Sequence, residues 1–208
     1  MAAKGLVLRD GRLGCWWAGD DPLYVEYHDE EWGRPRDDDS TLFEKVCLEG
    51  FQAGLSWLTI LRKREAFRRA FKGFDIDTVA RFNTRSVQRL LGDAAIIRHR
   101  GKINSAIGNA KRAAEMRDEF GSLGAFFWRY EPEPASRPKR MTHGALMKLS
   151  ESAESRALSK DLKARGWTFV GPTTMYAHMQ AMGIVNDHLD GCVAGHEVGL
   201  ERSKFRRP

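Results

Sequence analysis

The segment from Thr41 to Arg64 reads TLFEKVCLEGFQAGLSWLTILRKR. Its apolar side chains recur every four positions, at Phe43, Cys47, Phe51 and Leu55. This period places them on one face of an α-helix, and Thr41 followed three residues later by Glu44 has the spacing of a helix-capping box. The pattern therefore predicts a buried helix that begins at Thr41.

The same segment contains a predicted break. Gly54 favours the left-handed backbone conformation that ends helices, and Ser56 is a preferred residue at the start of the next helix. We therefore predict that the first helix ends near Gly54 and that a second begins at Trp57 and continues to Lys72. Leu55 would lie in the tight bend between them.

One carboxylate, Glu49, lies among apolar residues in the middle of the first predicted helix. A buried carboxylate is costly unless it has a partner. The small residues Gly50, Ala53 and Gly54 beside it leave room for a flat ligand or for a closely packed helix. Two interpretations stay open: a ligand-binding carboxylate, or a hydrogen-bonded structural glutamate.

The composition fits one soluble globular unit or two small lobes. The chain has 208 residues, of which 42% are hydrophobic and 30% charged, and no apolar run approaches the roughly 20 residues that cross a membrane. The first residues lack the apolar core of a signal peptide, so we expect a cytoplasmic protein without a membrane partner. Three dispersed cysteines are too few for a disulfide framework, which favours metal ligation or burial.

Periodicity is weak at both ends of the chain. Residues 1–13 and 193–208 have no clear helical pattern, and the second of these segments is basic. We predict a disordered leader over 1–13, one domain of two helical lobes over 14–192, and a disordered basic tail over 193–208.

Charge is segregated along the chain. Nine acidic residues and two arginines lie between Asp20 and Asp39, whereas five basic residues and no acidic one lie between Arg98 and Arg112. Such separation indicates an anionic partner on one face.

The basic segment has the pattern of two helices joined by a turn. A helical stripe starts just after Gly101, at Ile103, Ala106, Ile107 and Ala110. Unpaired backbone N–H groups at a helix start attract anions, and Gly101 permits a close approach. Arg98, Arg100 and Lys102 add positive charge. These residues favour a phosphate-binding turn. A structural hairpin of two helices with a hydrated basic turn would give the same pattern.

Two cysteines and two histidines are of the residue types that commonly bind metal ions. Cys15 and His28 lie 13 residues apart near the N-terminus, and His188 and Cys192 lie four apart near the C-terminus. Two thiolates and two imidazoles suit a tetrahedral zinc ion, and a shared site would join both ends of the chain. The wide separation also leaves a metal-free interpretation open.

Aromatic residues are concentrated in residues 14–33, GCWWAGDDPLYVEYHDEEWG. Trp17, Tyr27 and Trp32 lie there near glycine and proline, which disfavour long regular elements. Their rings either pack onto the helices or line a site.

Several long motifs together resemble the DNA-3-methyladenine glycosylase I family. They are CWW…DPLYVEYHDEEWG, LFEKVCLEGFQAGLSW, IIRHRGKI and FVGPTTMYAHMQAMGIVNDH, and they span about Gly14 to Cys192. The resemblance implies an all-α, two-lobed fold of the helix-hairpin-helix glycosylase superfamily with one structural zinc ion. It also implies a monomeric, monofunctional N-glycosylase that excises 3-methyladenine from alkylated double-stranded DNA.

The resemblance further implies roles for individual residues. Zinc would be bound by Cys15, His28, His188 and Cys192. The base pocket would consist of Glu49, Tyr27 and Trp57, with Trp17 and Trp32 nearby. The hairpin from Ile97 to Ile103 would hold DNA. For Leu55 the motivation is its place as an apolar residue at a tight bend, from which we predict that it fills the gap left by the flipped nucleotide. The alternative is a non-catalytic DNA-binding or lesion-sensing protein on the same scaffold, which would need neither Glu49 nor Trp57.

Overall fold

The structure, a computed structural model, describes residues 3–208 of the protein and is mostly helical. A small antiparallel sheet pairs β1 (Leu6–Arg9) with β2 (Arg12–Cys15). The helices are α1 (Pro22–Glu30), α2 (Asp39–Gln52), α3 (Trp57–Ala70), α4 (Ile76–Ala80), α5 (Thr84–Gly92), α6 (Arg100–Phe120), α7 (Leu123–Phe127), α8 (His143–Leu146), α9 (Ala153–Ala164), α10 (Pro172–Ala181) and α11 (Val193–Lys204). The predicted all-α class is confirmed, with the short sheet as an addition.

Helix α2 packs against α3, α6 and α10, and its apolar face is buried as predicted. Its start differs from the prediction, because Asp38 rather than Thr41 is the N-cap. The Asp38 carboxylate accepts a hydrogen bond from the N–H of Thr41 at 2.9 Å. The predicted capping box is therefore wrong, and Glu44 instead pairs with Arg68 at 2.9 Å.

The predicted break between α2 and α3 is confirmed. Gly54 has a φ of +79°, in the left-handed region. The Ser56 side chain accepts from the N–H of Thr59, which fixes the start of α3 at Trp57. Leu55 is 41% exposed in this bend. Two largely buried helices are thus joined by a short exposed corner.

Helices α5 and α6 form the predicted helix–turn–helix around the basic segment. Asn83 caps α5, and His99 caps α6 by accepting from the N–H of Lys102 at 3.2 Å. Helix α6 packs along α4 and contacts α2. The turn over residues 93–99 is therefore held on the same helical core as the pocket residues of α2.

Aromatic side chains form much of the main core. Phe51 packs on Phe67 with ring centroids 4.5 Å apart, and Phe71 stacks on Phe74 at 5.3 Å. A second, smaller cluster surrounds the buried cysteines of β2 and of the segment before α11. No helix among residues 3–208 combines the length and apolar character needed to cross a membrane.

Both ends of the chain differ from the predicted disorder. Residues of the predicted leader form β1 and begin β2, and the predicted tail forms α11. Arg34 pairs with Glu197 and Glu201 of α11, while Glu131 pairs with Arg202 and Arg207. These partners are distant in sequence, so local periodicity does not indicate them. Residues 1 and 2 of the leader lie outside the described residues.

His178 on α10 is a fully buried imidazole with no hydrogen-bond partner among residues 3–208. Its ring packs against the ring of Phe127 at 4.7 Å. Burial lowers the pKa of His178 to about 3, with a smaller contribution from the positive charge of Lys45. The folded protein therefore keeps this side chain neutral, as an aromatic core residue.

We expect acid to destabilise the protein through His178. The unfolded chain binds a proton at the ordinary histidine pKa of about 6.5, whereas the folded protein binds it only near pH 3. The neutral His178 therefore makes its full contribution to the free energy of unfolding above about pH 6.5. This contribution is lost as the pH falls, and the loss is about 2 kcal/mol at about pH 5. Urea unfolding of wild type and His178→Phe at about pH 7.5 and about pH 5 measures it. The variant should lose less stability on acidification, and an equal loss in both proteins would contradict the prediction.

Candidate functional site

The aromatic and acidic residues predicted to form a pocket line one cavity of about 290 Å³. Its lining includes Trp17, Tyr27, Trp32, Glu49 and Trp57. Lys45 and Gln180 also line it. The structure therefore brings together all five predicted pocket residues.

Separate elements position the central side chains of this pocket. Tyr27 lies in the last turn of α1, Glu49 in the last turn of α2, and Trp57 is the first residue of α3. The ring centroids of Tyr27 and Trp57 are 5.3 Å apart, with planes inclined by 45°. Because the Ser56 cap fixes the start of α3, the bend after α2 places the indole of Trp57 in the same cavity as Glu49.

Lys45 is the charged pocket residue that the sequence analysis missed. Its Nζ atom lies 2.8 Å from Oε1 of Glu49, donates to the Tyr27 hydroxyl at 2.9 Å, and is 3.2 Å from the centre of the Trp57 ring. The available signal was the four-residue separation of Lys45 and Glu49, which places them together on one helix. Burial lowers the pKa of Lys45, while the charge of Glu49 opposes that shift.

Glu49 satisfies both interpretations that the sequence leaves open. It is 6% exposed and paired with Lys45, as a structural glutamate would be, and it also lines the aromatic cavity. Burial, together with the charge of Glu49, raises the pKa of Tyr27 well above its ordinary value, so the phenol stays neutral. A carboxylate opposed by aromatic ring faces forms a site that favours a flat cation.

Cys15, His28, His188 and Cys192 converge in a second buried site. Their ligand atoms all lie within 4.8 Å of one another. Cys15 ends β2, His28 belongs to α1, and Cys192 is the residue before α11. Two sulfur and two nitrogen donors at this separation can hold a metal ion. The predicted joining of the two ends of the chain by this cluster is confirmed.

Neighbouring groups orient both imidazoles of the cluster. Nδ1 of His28 is 2.6 Å from the Asp29 carboxylate, and Nε2 of His188 is 3.0 Å from the Trp32 carbonyl oxygen. The other ring nitrogens face Cys192 Sγ, at 3.6 Å for His28 and 3.7 Å for His188. Such outer hydrogen bonds select the tautomer that ligates a metal.

The same cluster favours a thiolate and supports the pocket wall. The Cys15 thiol donates toward Cys192, which lowers the pKa of Cys192; this interaction and burial raise the pKa of Cys15. The Trp17 ring lies 5.0 Å from the His28 ring, and the Trp32 ring lies 4.7 Å from the His188 ring. Two walls of the aromatic cavity therefore rest directly on metal-ligand candidates.

The basic turn presents three of its four predicted residues to solvent. Arg98, Arg100 and Gly101 are exposed. Within residues 3–208, the N–H groups of Arg100 and Gly101 have no hydrogen-bond partner. A Cβ atom on Gly101 would lie 3.1 Å from the capping ring of His99, so glycine suits this position. The helix start can therefore accept an anion.

Lys102 is the exception, and the prediction that its side chain contacts DNA is wrong. The residue is 8% exposed, and its Nζ donates to the carbonyl oxygens of Phe51 at 2.8 Å and Ala53 at 2.6 Å. These carbonyls lie at the C-terminal end of α2, where a positive charge is favourable. Burial lowers the pKa of Lys102. Lys102 therefore ties the basic turn to the bend that carries Leu55.

Comparison with known families shows that the family model for methyladenine glycosylase matches residues 17–195. The chain belongs to the methyladenine glycosylase family. It is 47% identical to DNA-3-methyladenine glycosylase 1 of Escherichia coli K12 over 178 residues, which cover 86% of this chain and 94% of that protein. It is 42% identical to the DNA-3-methyladenine glycosylase of Haemophilus influenzae over 179 residues, which cover 86% and 95%. The family membership predicted from the motifs is confirmed.

Solved structures of methyladenine glycosylases share the fold. A crystal structure of 3-methyladenine DNA glycosylase I matches with a TM-score of 0.79 at 45% identity, over 86% of this chain and 98% of that chain. The Staphylococcus aureus enzyme, described for its recognition of 3-methyladenine, matches with a TM-score of 0.81 at 34% identity, over 88% and 96%. A further match is a complex with 3-methyladenine. The family fold therefore extends over most of the chain.

Proposed function

We propose that this protein is a DNA repair glycosylase that flips out and hydrolytically excises 3-methyladenine from alkylated double-stranded DNA. The observation that carries the proposal is the buried Glu49 carboxylate in a cavity walled by Tyr27 and Trp57 and large enough for one base. The names of its relatives and the bound base in one of them agree with it. The pocket, turn and metal cluster all belong to one chain, so the proposed activity needs no second copy. We propose a monomer that acts in the cytoplasm.

The chemistry follows from the charge of the lesion. Methylation at N3 makes the attached adenine cationic, so the bond between N9 and C1′ of the sugar is weakened. Its electron pair leaves with the base, which becomes neutral, and water adds to C1′ and releases a proton. Glu49 would accept from the amino group and stabilise the positive ring, while Tyr27 and Trp57 stack against it. An uncharged adenine gains less from these contacts, which gives selectivity.

We propose that the turn around Gly101 holds the DNA backbone as a helix-hairpin-helix element. The N–H groups of Arg100 and Gly101, which have no partner in the described part of the chain, and the exposed charge of Arg98 suit a phosphate. Contacts of this kind position a duplex without reading its sequence.

Replacing Gly101 with aspartate is expected to weaken duplex binding by about tenfold or more, because the new carboxylate repels the phosphate that the turn would hold. Gly108→Asp is a matched control, since open space surrounds Gly108 on the same helix. Titration of a fluorescent duplex at equal ionic strength measures both variants, with thermal unfolding as a check on folding. Wild-type affinity in Gly101→Asp would show that the turn does not hold DNA.

We propose that Leu55 fills the gap that the flipped nucleotide leaves, because it is an exposed apolar residue in a tight bend. Leu55→Ala should lower excision from duplex DNA by about tenfold, because alanine loses most of the apolar contact that the leucine side chain would make with the DNA. Binding of free 3-methyladenine should not change. Leu200→Ala, at an exposed leucine of α11, is the control. Unchanged excision in Leu55→Ala would remove this role.

We propose that the metal is zinc, one ion per chain, held by Cys15, His28, His188 and Cys192. Two cysteines and two histidines are a donor set of structural zinc sites. With four protein ligands no position remains for a water molecule, so the ion would stabilise the fold. Hydrolysis is assigned to the Glu49 pocket.

Chromatography of the bases released from methylated duplex DNA tests the proposed function. The purified protein should release 3-methyladenine and leave normal adenine in the DNA. A non-catalytic lesion-binding protein would bind the methylated duplex and release no base, which would overturn the proposal in favour of the alternative.

A further inference from the structure

Lys45 occupies the centre of the pocket that is assigned above to the cationic base. Its ammonium contacts Glu49, the Tyr27 hydroxyl and the face of the Trp57 ring at 2.8, 2.9 and 3.2 Å. These are the three groups on which the proposed base recognition depends. The lysine therefore makes within the chain the contacts that the base would make.

The ammonium and a cationic base cannot use this site together. A nitrogen 3.2 Å from the Trp57 ring centre fills the space in which a stacked base would lie. Two positive charges beside the single carboxylate of Glu49 would also repel each other strongly, because the surroundings are desolvated. Binding of the base therefore requires Lys45 to leave Glu49 and Trp57.

A second cavity next to the pocket can receive the displaced side chain. It has a volume of about 240 Å³ and is also lined by Lys45, Tyr27 and Trp57. Glu31 and Glu44 line it as well, together with Arg64 and Arg68, with which they pair. An ammonium group that enters this cavity would therefore share these carboxylates with the two arginines. The four-carbon stem of lysine is flexible enough to turn from one cavity to the other.

We propose that Lys45 is an internal competitor for the base site, which the base displaces from Glu49 and Trp57 into the neighbouring cavity. This inference rests on the proposed function. Its consequence is that the intrinsic affinity of the pocket is reduced by the fraction of molecules in which Lys45 holds the site. In return, the lysine keeps the buried Glu49 charge paired whenever no base is bound.

Two probes and one variant test the competition. The probes are the 3,9-dimethyladenine cation and neutral 9-methyladenine, in which the N9 methyl group replaces the sugar. Because Lys45 must leave for either probe, Lys45→Met should bind both more tightly, by about tenfold or more and by similar factors. Calorimetry measures the affinities. If Lys45 instead stays and supports the base, the variant will bind the neutral probe less tightly than wild type, which would overturn the inference.

A second measurement uses the wild-type chain and does not depend on the variant folding. Acetylation of lysines with acetic anhydride, read by mass spectrometry, should be faster at Lys45 when the cationic probe is present. Lys63, whose ammonium binds the carbonyls of Ala94 and Ala95, is the internal control. A Lys45 that stays equally protected while the probe is bound would contradict displacement. Failure of both wild type and Lys45→Met to bind either probe would overturn the proposed base pocket itself, whereas binding without displacement would overturn only the role of Lys45.

Discussion

Replacing His188 with alanine is expected to release the zinc ion proposed above and to lower the melting temperature by about 10 °C or more. The four ligand atoms tie β2 and α1 to the segment before α11, and all four ligand residues are buried. Structural zinc sites contribute about 10–16 kcal/mol of binding free energy in small peptides, which exceeds the net stability of many domains. Loss of one ligand removes a large part of that contribution.

Metal content and thermal unfolding of the purified variant measure this effect. His196→Ala is the matched control, because His196 is an exposed histidine in the first turn of α11. The control should keep one ion per chain and the wild-type melting temperature. Full zinc occupancy and an unchanged melting temperature in His188→Ala would show that the cluster is not a structural metal site.

Replacing Glu49 with glutamine is expected to reduce excision of 3-methyladenine by roughly 30-fold to 150-fold. A charge-assisted hydrogen bond in a desolvated site contributes about 2 to 3 kcal/mol, and that free energy corresponds to this range of rates. The substitution preserves size, so fold and metal content should be unchanged. Affinity for free 3-methyladenine should fall as well.

Single-turnover excision and equilibrium binding of the free base measure the role of Glu49. Glu65→Gln is the matched control, since Glu65 is an exposed glutamate of α3 that lines neither cavity. Wild-type excision and wild-type base affinity in Glu49→Gln would assign this carboxylate to structure alone.

Local sequence signals were sufficient for the parts of the fold that depend on neighbouring residues. The break at Gly54 and the cap at Ser56 follow from the backbone preference of glycine and the short hydroxyl of serine, and both are present. The residue types suggested the metal ligands but left a metal-free interpretation open. The pocket residues were brought together only by the family resemblance, because they lie on separate elements.

Long-range contacts account for what the sequence did not predict. The ammonium of Lys102 binds carbonyls about 50 residues earlier in the chain, so its charge was wrongly assigned to DNA. Helix α11 has few buried residues and is held by ion pairs such as Arg34 with Glu197. Lys45 is different, because its four-residue spacing from Glu49 is local. The apolar pattern of the helix singled out the Glu49 carboxylate as unusual, and the spacing of Lys45 was not considered with it.

A crystal structure of the protein with 3-methyladenine tests the central claim most directly. The account predicts the base stacked against Trp57 and Tyr27, with its amino group within hydrogen-bond distance of the Glu49 carboxylate. The ammonium of Lys45 should then lie in the cavity beside Glu31 and Glu44. A base bound away from Glu49, or a cavity still filled by Lys45 at saturating base, would contradict the account.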